Sequence, residues 1–126
     1  MQLTDNFNKS EFECSCGCDM PEEVFDNIKI LAQQLQVIRD MLCESIKVTS
    51  GYRCKNYNKK IGGAKYSQHL LGKASDLQMK ETRPEELANA IDKLQEAKFI
   101  EVGGLGRYIN FTHYDIRGYQ ARWGKN

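Results

Sequence analysis

The sequence contains two histidines, and an aspartate follows each of them closely. His69 precedes Asp76 by seven residues, with Gly72 between them as a turn, and His113 precedes Asp115 by two residues. Two imidazoles and one carboxylate form a common ligand set of catalytic zinc, whereas structural zinc is usually held by four ligands rich in cysteine. On a strand, His113 and Asp115 would project to the same face. From spacing alone, a metal site and two unrelated histidines that make ordinary hydrogen bonds are equally open interpretations.

The strongest motif surrounds His69. The segment Ser67-Gln68-His69-Leu70-Leu71-Gly72-Lys73-Ala74-Ser75-Asp76 fits the pattern S-x-H-x-x-G-x-A-x-D at every fixed position. It follows Ser50-Gly51-Tyr52-Arg53 and Gly62-Gly63-Ala64, and precedes Phe111-Thr112-His113-Tyr114-Asp115. In these segments the sequence resembles the M15 family of zinc D-Ala-D-Ala peptidases, which shares its fold with the hedgehog signalling domain. The resemblance covers about residues 5–123. Within the family, the chain resembles in particular the short, phage-associated members that carry a final His-x-Asp motif.

The resemblance implies a role for each residue of these motifs. Arg53 would bind the carboxylate of a substrate or polarise its scissile carbonyl, tasks that suit a planar and permanently charged guanidinium. Ser67 and Gln68 would line the site and contact the substrate or the ligands. The implied zinc ligands are His69, Asp76 and His113.

One position departs from the family pattern. Many members have a catalytic Glu or Asp three residues before the last histidine ligand, and this chain has Asn110 there. Because an amide cannot act as a general base, Asp115 is the expected substitute. Two alternatives stay open: Asp115 binds the metal while His113 is the base, or the domain binds zinc and does little chemistry.

The function implied is hydrolysis of an amide bond by zinc-activated water, with Zn²⁺ and Arg53 stabilising the oxyanion. The family acts on peptidoglycan stem peptides, at the terminal D-Ala-D-Ala bond or at the L-Ala-D-Glu bond, and the sequence does not choose between them. The alternative from another class is a non-catalytic, zinc-bearing module that binds the cell wall or a partner. The presence of Arg53, Ser67 and Asp115 together favours the enzyme.

Hydrophobic periodicity predicts the elements that position these residues. Their order favours an α+β domain with a mainly antiparallel sheet packed by helices, like the hedgehog/DD-peptidase fold. The predicted helices span Pro21 to about Cys43, Cys54 to Ile61 and Thr82 to Lys98, and the predicted strands span Ile46 to Ser50, Lys73 to Met79, Phe99 to Val102 and Asn110 to Ile116. The glycines of residues 103–106 are predicted to form a tight turn before the last strand.

Length and composition limit the chain to one site. A chain of 126 residues fits one domain over residues 1–126, in which residues 1–20 form an ordered leader. The net charge of +1 argues against a nucleic-acid partner. No segment is apolar enough to cross a membrane, and no export signal is recognisable. We therefore expect a monomer that is synthesised in the cytoplasm and acts on the cell wall after release.

Two further features have plain interpretations. In the leader, Cys14, Cys16 and Cys18 form Cys-x-Cys-Gly-Cys, which together with Cys43 or Cys54 could bind a structural metal. The spacing is not Cys-x2-Cys, so reduced cysteines that pack or stay free are the favoured interpretation. Near the C-terminus, Arg117, Arg122 and Lys125 are predicted to be surface charges around an aromatic residue that packs on the core.

Overall fold

The computed structural model describes residues 1–124 and shows a five-stranded mixed sheet with helices packed against it. Lys125, the third cation of the predicted basic tail, lies outside the described residues. The helices are α1 (Glu22–Leu42), α2 (Lys55–Lys60) and α3 (Pro84–Glu96), with 3-10 helices at Lys9–Phe12 and Gln68–Leu71. The strands are β1 (Ile46–Ser50), β2 (Ala74–Met79), β3 (Gly104–Arg107), β4 (Thr112–Asp115) and β5 (Ala121–Gly124).

The strands lie in the order β1-β2-β4-β3-β5. Three of the four pairings are antiparallel, and β5 runs parallel to β3. The predicted α+β class with a mainly antiparallel sheet is therefore confirmed. None of the helices within residues 1–124 has the length and hydropathy needed to cross a membrane.

The first helix forms as its apolar spacing predicts. Apolar side chains at intervals of three and four residues make one stripe, which is buried against the core. The helix begins after Pro21 and ends at Cys43, whose left-handed conformation (φ 53°) lets its N–H bond the Asp40 carbonyl.

The leader packs onto the domain through two aromatic side chains. Phe7 and Phe12 are buried, and the backbone N–H of Tyr52 donates to the Phe12 carbonyl at 2.8 Å. Gly51 makes this close approach possible, because a Cβ at that position would lie 2.7 Å from the Cα of Phe12. The leader is thereby held against the loop that follows β1.

The C-terminal third of the chain differs from the prediction. The predicted strand at Phe99–Val102 is wrong: Phe99 is exposed, and the strand β3 lies in the glycine-rich segment predicted as a turn. Gly104 and Gly106 are in a strand because side chains of other strands occupy the space of their missing Cβ atoms. The occupants are the Asp115 carboxylate and the Trp123 indole, respectively.

The strand β5 was not predicted. The sequence predicts a charged tail there with an aromatic residue on the core, whereas the half-buried Trp123 packs against the ring of His113. The two described arginines of this tail are paired, Arg117 with Asp115 and Arg122 with Asp92 of α3. They therefore stabilise the C-terminal strand against the domain.

Candidate metal centre

One row of residues crosses the whole sheet and contains the second histidine. Asp76 on β2 lies opposite His113 on β4, and Ser50 lies on the other side of Asp76. Gly106 and Trp123 extend the row through β3 and β5. Since neighbours in such a row have Cβ atoms about 5 Å apart, strand register alone brings the aspartate and the histidine together.

The first histidine reaches this row from a loop. His69 lies in the 3-10 helix Gln68–Leu71, which Gly72 ends in a left-handed conformation (φ 72°) before the chain enters β2. The His69 Nε2 lies 3.3 Å from Asp76 Oδ1, and the His113 Nδ1 lies 3.2 Å from the same oxygen. We call these three residues the histidine centre. One ligand atom from each of them lies within 4.8 Å of the others, and all three residues are buried.

Hydrogen bonds behind both imidazoles fix their tautomers. The His69 Nδ1 lies 2.7 Å from the Gly51 carbonyl oxygen, which can only accept, so Nδ1 carries the proton. The His113 Nε2 lies 2.7 Å from Asp115 Oδ2 and donates to that carboxylate. In the neutral rings, the nitrogens that face Asp76 are therefore lone pairs, the arrangement that metal-binding histidines use.

The charges of the centre are strongly coupled. Burial by itself raises the pKa of Asp76, but the imidazoles of His113 and His69, which can donate to this carboxylate when protonated, outweigh it and hold the pKa below its usual range. Burial lowers the pKa of His113, yet its bonds to Asp115 and Asp76 leave it raised. A cation that replaced the proton of His113 would therefore enter a site already built for positive charge.

The donor set fits a metal ion. Two imidazole nitrogens and one carboxylate oxygen form a set that zinc accepts in open, catalytic sites, and the three ligands come from different segments of a rigid framework. A cavity of about 470 Å³ adjoins the centre and is lined by His69, Asp76 and His113 themselves. It leaves room for a water molecule or a substrate beside the ligands.

Arg53 lines the same cavity. Its Nε donates to Ser50 Oγ at 3.1 Å, and its Nη1 donates to Asn58 Oδ1 at 3.2 Å. Its Nη2 donates to Asp76 Oδ2 at 3.1 Å, the carboxylate oxygen that does not face the histidines. The guanidinium is thereby held in one orientation beside the centre, a fixed fork for a planar anionic or carbonyl group.

Ser67 and Gln68 also line the cavity. The Ser67 Oγ accepts the backbone N–H of His69 at 3.1 Å and so caps the 3-10 helix that carries this histidine. The Gln68 Oε1 is buried and has no hydrogen-bond partner within residues 1–124.

Asp115 lies behind His113, on the side of the ring away from Asp76. Arg117 donates to both of its oxygens, from Nε to Oδ1 at 2.9 Å and from Nη2 to Oδ2 at 2.8 Å. The backbone N–H of Gly104 adds a third bond at 2.8 Å, and the side chain is fully buried. Since both oxygens are occupied and neither reaches the cavity, this surrounding favours a role other than proton transfer to a substrate.

The cavity has an aromatic wall that the sequence does not indicate. The Trp123 ring lies 4.9 Å from the ring of His113, between centroids, and its Nε1 donates to the Tyr108 hydroxyl at 2.8 Å. Tyr108 in turn stacks on Phe111 at 4.3 Å. No spacing pattern signals this wall, because it depends on the unpredicted pairing of β3 with β5.

A buried His-Asp-His set beside an open cavity is an arrangement that metal-dependent enzymes use. The family follows from the sequence itself. The chain belongs to the peptidase M15 family, whose model, described as Peptidase M15, matches residues 2–115. No curated protein matches the chain. M15 peptidases are metal-dependent, so membership and the histidine centre together indicate a metallopeptidase.

Proposed function

We propose that the protein is a zinc-dependent peptidase that hydrolyses an amide bond in peptidoglycan stem peptides. The observation that carries the proposal is the convergence of the three ligand atoms in a cavity that Arg53 also lines. Zinc bound there would act as a Lewis acid and would activate water at neutral pH. The residues that would hold it are His69 through Nε2, Asp76 through Oδ1 and His113 through Nδ1.

The remaining cavity residues would bind and orient the substrate. Arg53 would pair with a carboxylate of the peptide or donate to the carbonyl that develops negative charge. Gln68 would contact the substrate from the cavity wall. Ser67 would act through His69, whose backbone it caps.

Asp115 would be a positioning residue for His113. An ionised carboxylate that accepts from Nε2 keeps the Nδ1 lone pair turned toward Asp76 and raises the basicity of the ring. Burial raises the pKa of Asp115, but the hydrogen bonds from His113 and Arg117 outweigh it and hold the pKa below its usual range. The carboxylate therefore stays charged at neutral pH.

Replacing Asp115 with asparagine separates this role from that of a base. We expect the zinc affinity of the histidine centre to fall about 10- to 100-fold, as found for partners of metal ligands. Competition with a chromophoric chelator measures this loss, and the melting temperature reports on packing. Unchanged zinc affinity with lost hydrolysis would instead identify Asp115 as the general base expected from the sequence.

The bond cleaved would be the terminal D-Ala-D-Ala bond or the L-Ala-D-Glu bond. Cleavage at either bond would present a carboxylate or a carbonyl of the substrate to the guanidinium of Arg53, so Arg53 suits both substrates. In this proposal the protein resembles the short, phage-associated members of its family, works as a monomer and reaches the cell wall after release.

One observation favours a second candidate, a non-catalytic zinc-bearing module. Asp76, a proposed ligand, is the sole carboxylate among the described residues that line the cavity. Asn110, at the family's position for an acidic residue, has an amide side chain, and its backbone carbonyl accepts from Gln78. Such a module would bind zinc and a wall peptide without cleaving it.

A digestion experiment decides between the candidates. Zinc-loaded protein is incubated with purified peptidoglycan and with a stem peptide ending in D-Ala-D-Ala, and the products are identified by mass. We expect release of D-Ala or a new amine at D-Glu, lost in His69→Ala and kept in Asp26→Asn, an exposed control on α1. Tight zinc binding without cleavage would favour the module.

A further inference from the structure

Four of the five cysteines converge at a second place, next to the loop that carries Arg53. The Sγ atoms of Cys14 and Cys16 are 3.3 Å apart, and those of Cys16 and Cys54 are 3.6 Å apart. With Cys18, all four sulfurs lie within 4.8 Å of one another. We call this group the cysteine cluster. Cys43, at the end of α1, lies outside it.

These separations suit four thiolates around one ion. A tetrahedral zinc with Zn–S bonds of about 2.3 Å has sulfurs about 3.8 Å apart, close to the observed separations. A disulfide would need a separation of about 2.05 Å, and all five cysteines are free thiols. The cluster is also complete, since four thiolates fill the coordination shell of a structural site.

Local structure explains how Cys-x-Cys-Gly-Cys reaches this geometry. A turn closes when the N–H of Gly17 donates to the Cys14 carbonyl at 2.9 Å, and Gly17 adopts a φ of +84° that favours glycine. The turn brings the side chains of these three cysteines toward a common point. On an extended chain the same alternate residues would share a face but would not converge. Cys54 arrives from the other segment as the N-cap of α2.

Backbone donors already point at two of the sulfurs. The N–H of Cys54 donates to Cys14 Sγ at 3.4 Å, and the N–H of Tyr57 donates to Cys54 Sγ at 3.4 Å. Hydrogen bonds of this kind stabilise metal-bound thiolates. Burial in the apolar core does not explain the convergence, because Cys16 is exposed and Cys18 and Cys54 are half-buried.

We propose that Cys14, Cys16, Cys18 and Cys54 bind one structural zinc ion, separate from the histidine centre. Soft thiolate ligands in a tetrahedral set select zinc over harder cations. The ion would fasten the leader to Cys54, the residue just after Arg53. The backbone N–H of Arg53 also donates to the His69 carbonyl at 3.0 Å. The leader would thereby keep Arg53 in place beside the cavity. The assignment does not rest on peptidase activity.

Metal content of full-length variants tests the proposal. Protein purified from zinc-supplemented medium is analysed by elemental mass spectrometry, and we expect two zinc ions per chain. The double variant Cys16→Ser/Cys54→Ser should keep one, and His69→Ala/His113→Ala should keep the other. Cys43→Ser is the matched control and should keep both. In cobalt-loaded protein, intense sulfur-to-metal charge-transfer absorption should vanish in the cysteine double variant alone.

Thiol reactivity gives a second test that needs no variant. In the native protein we expect one thiol, Cys43, to react with an aromatic disulfide reagent, and four more to react after a strong chelator is added. Because Cys16 is exposed without metal, its protection would report on coordination. A cysteine double variant that keeps as much zinc as the parent protein, an iron-loaded cluster, five reactive thiols before chelation, or a mass lowered by disulfide formation would each overturn the assignment.

Discussion

Replacing Asp76 with asparagine is expected to abolish zinc binding at the histidine centre and, with it, hydrolysis. Asp76 Oδ1 lies within 3.3 Å of both imidazoles, and Oδ2 accepts from Arg53. An amide offers one oxygen and no charge, and its NH2 group would face a donor on one side of the site. Since partners of metal ligands alone are worth about 10- to 100-fold in affinity, we expect a loss greater than about 100-fold here.

Zinc content and activity are measured together for this variant. We expect the zinc content to fall by one ion per chain and product formation to fall to the level without enzyme. Asp26→Asn is the control, because its exposed pair with Lys29 on α1 contributes at most about 1 kcal/mol. Full zinc occupancy in Asp76→Asn would contradict the ligand set.

The Arg53→Lys variant is expected to keep its zinc but to lose most of its activity. Lysine preserves the positive charge beside Asp76, so the metal ligands keep their electrostatic surroundings. It lacks the planar fork that bonds Ser50, Asn58 and Asp76 in one fixed orientation. Removal of a donor to a developing oxyanion costs about 10²- to 10³-fold in kcat, and we expect a loss of that size.

Steady-state kinetics with a stem peptide, at saturating zinc, measures this effect. A loss in kcat with little change in KM would assign Arg53 to the developing charge. A rise in KM alone would assign it to a substrate carboxylate. Arg39→Lys, on α1 and paired with Asp40, is the matched control and should behave as the parent protein does. Unaltered kinetics in Arg53→Lys would remove Arg53 from both roles.

The sequence predicts most of the fold where hydrophobic periodicity is strong. The stripe of α1 and the alternation of β1 needed no tertiary information, because each of these elements buries one face. The residues of the histidine centre could also be proposed from the sequence, since they lie in the motif around His69 and in the His-x-Asp segment that follows it. The ligand assignments that rest on it stay proposals to be tested.

The rest depends on contacts between distant segments. Gly104 and Gly106 resemble turn residues, but they belong to β3 because Asp115 and Trp123 need the space. Arg117 and the backbone N–H of Gly104 donate hydrogen bonds to Asp115, and no sequence motif reveals either contact. The cysteine cluster likewise depends on one glycine turn, and on Cys54 rather than Cys43.

The row of residues across the sheet sets which changes in chain length the protein can survive. On one face of β4, the hydroxyls of Thr112 and Tyr114 donate to the backbone carbonyls of Pro84 and Glu101, respectively. The side chains of His113 and Asp115 lie on the opposite face and bond each other there. Inserting or deleting one residue within β4 would exchange these faces and remove both side chains from the metal centre at once. Loops that carry no residue of the histidine centre or of its cavity lack this constraint, so we expect insertions and deletions in homologues to collect there.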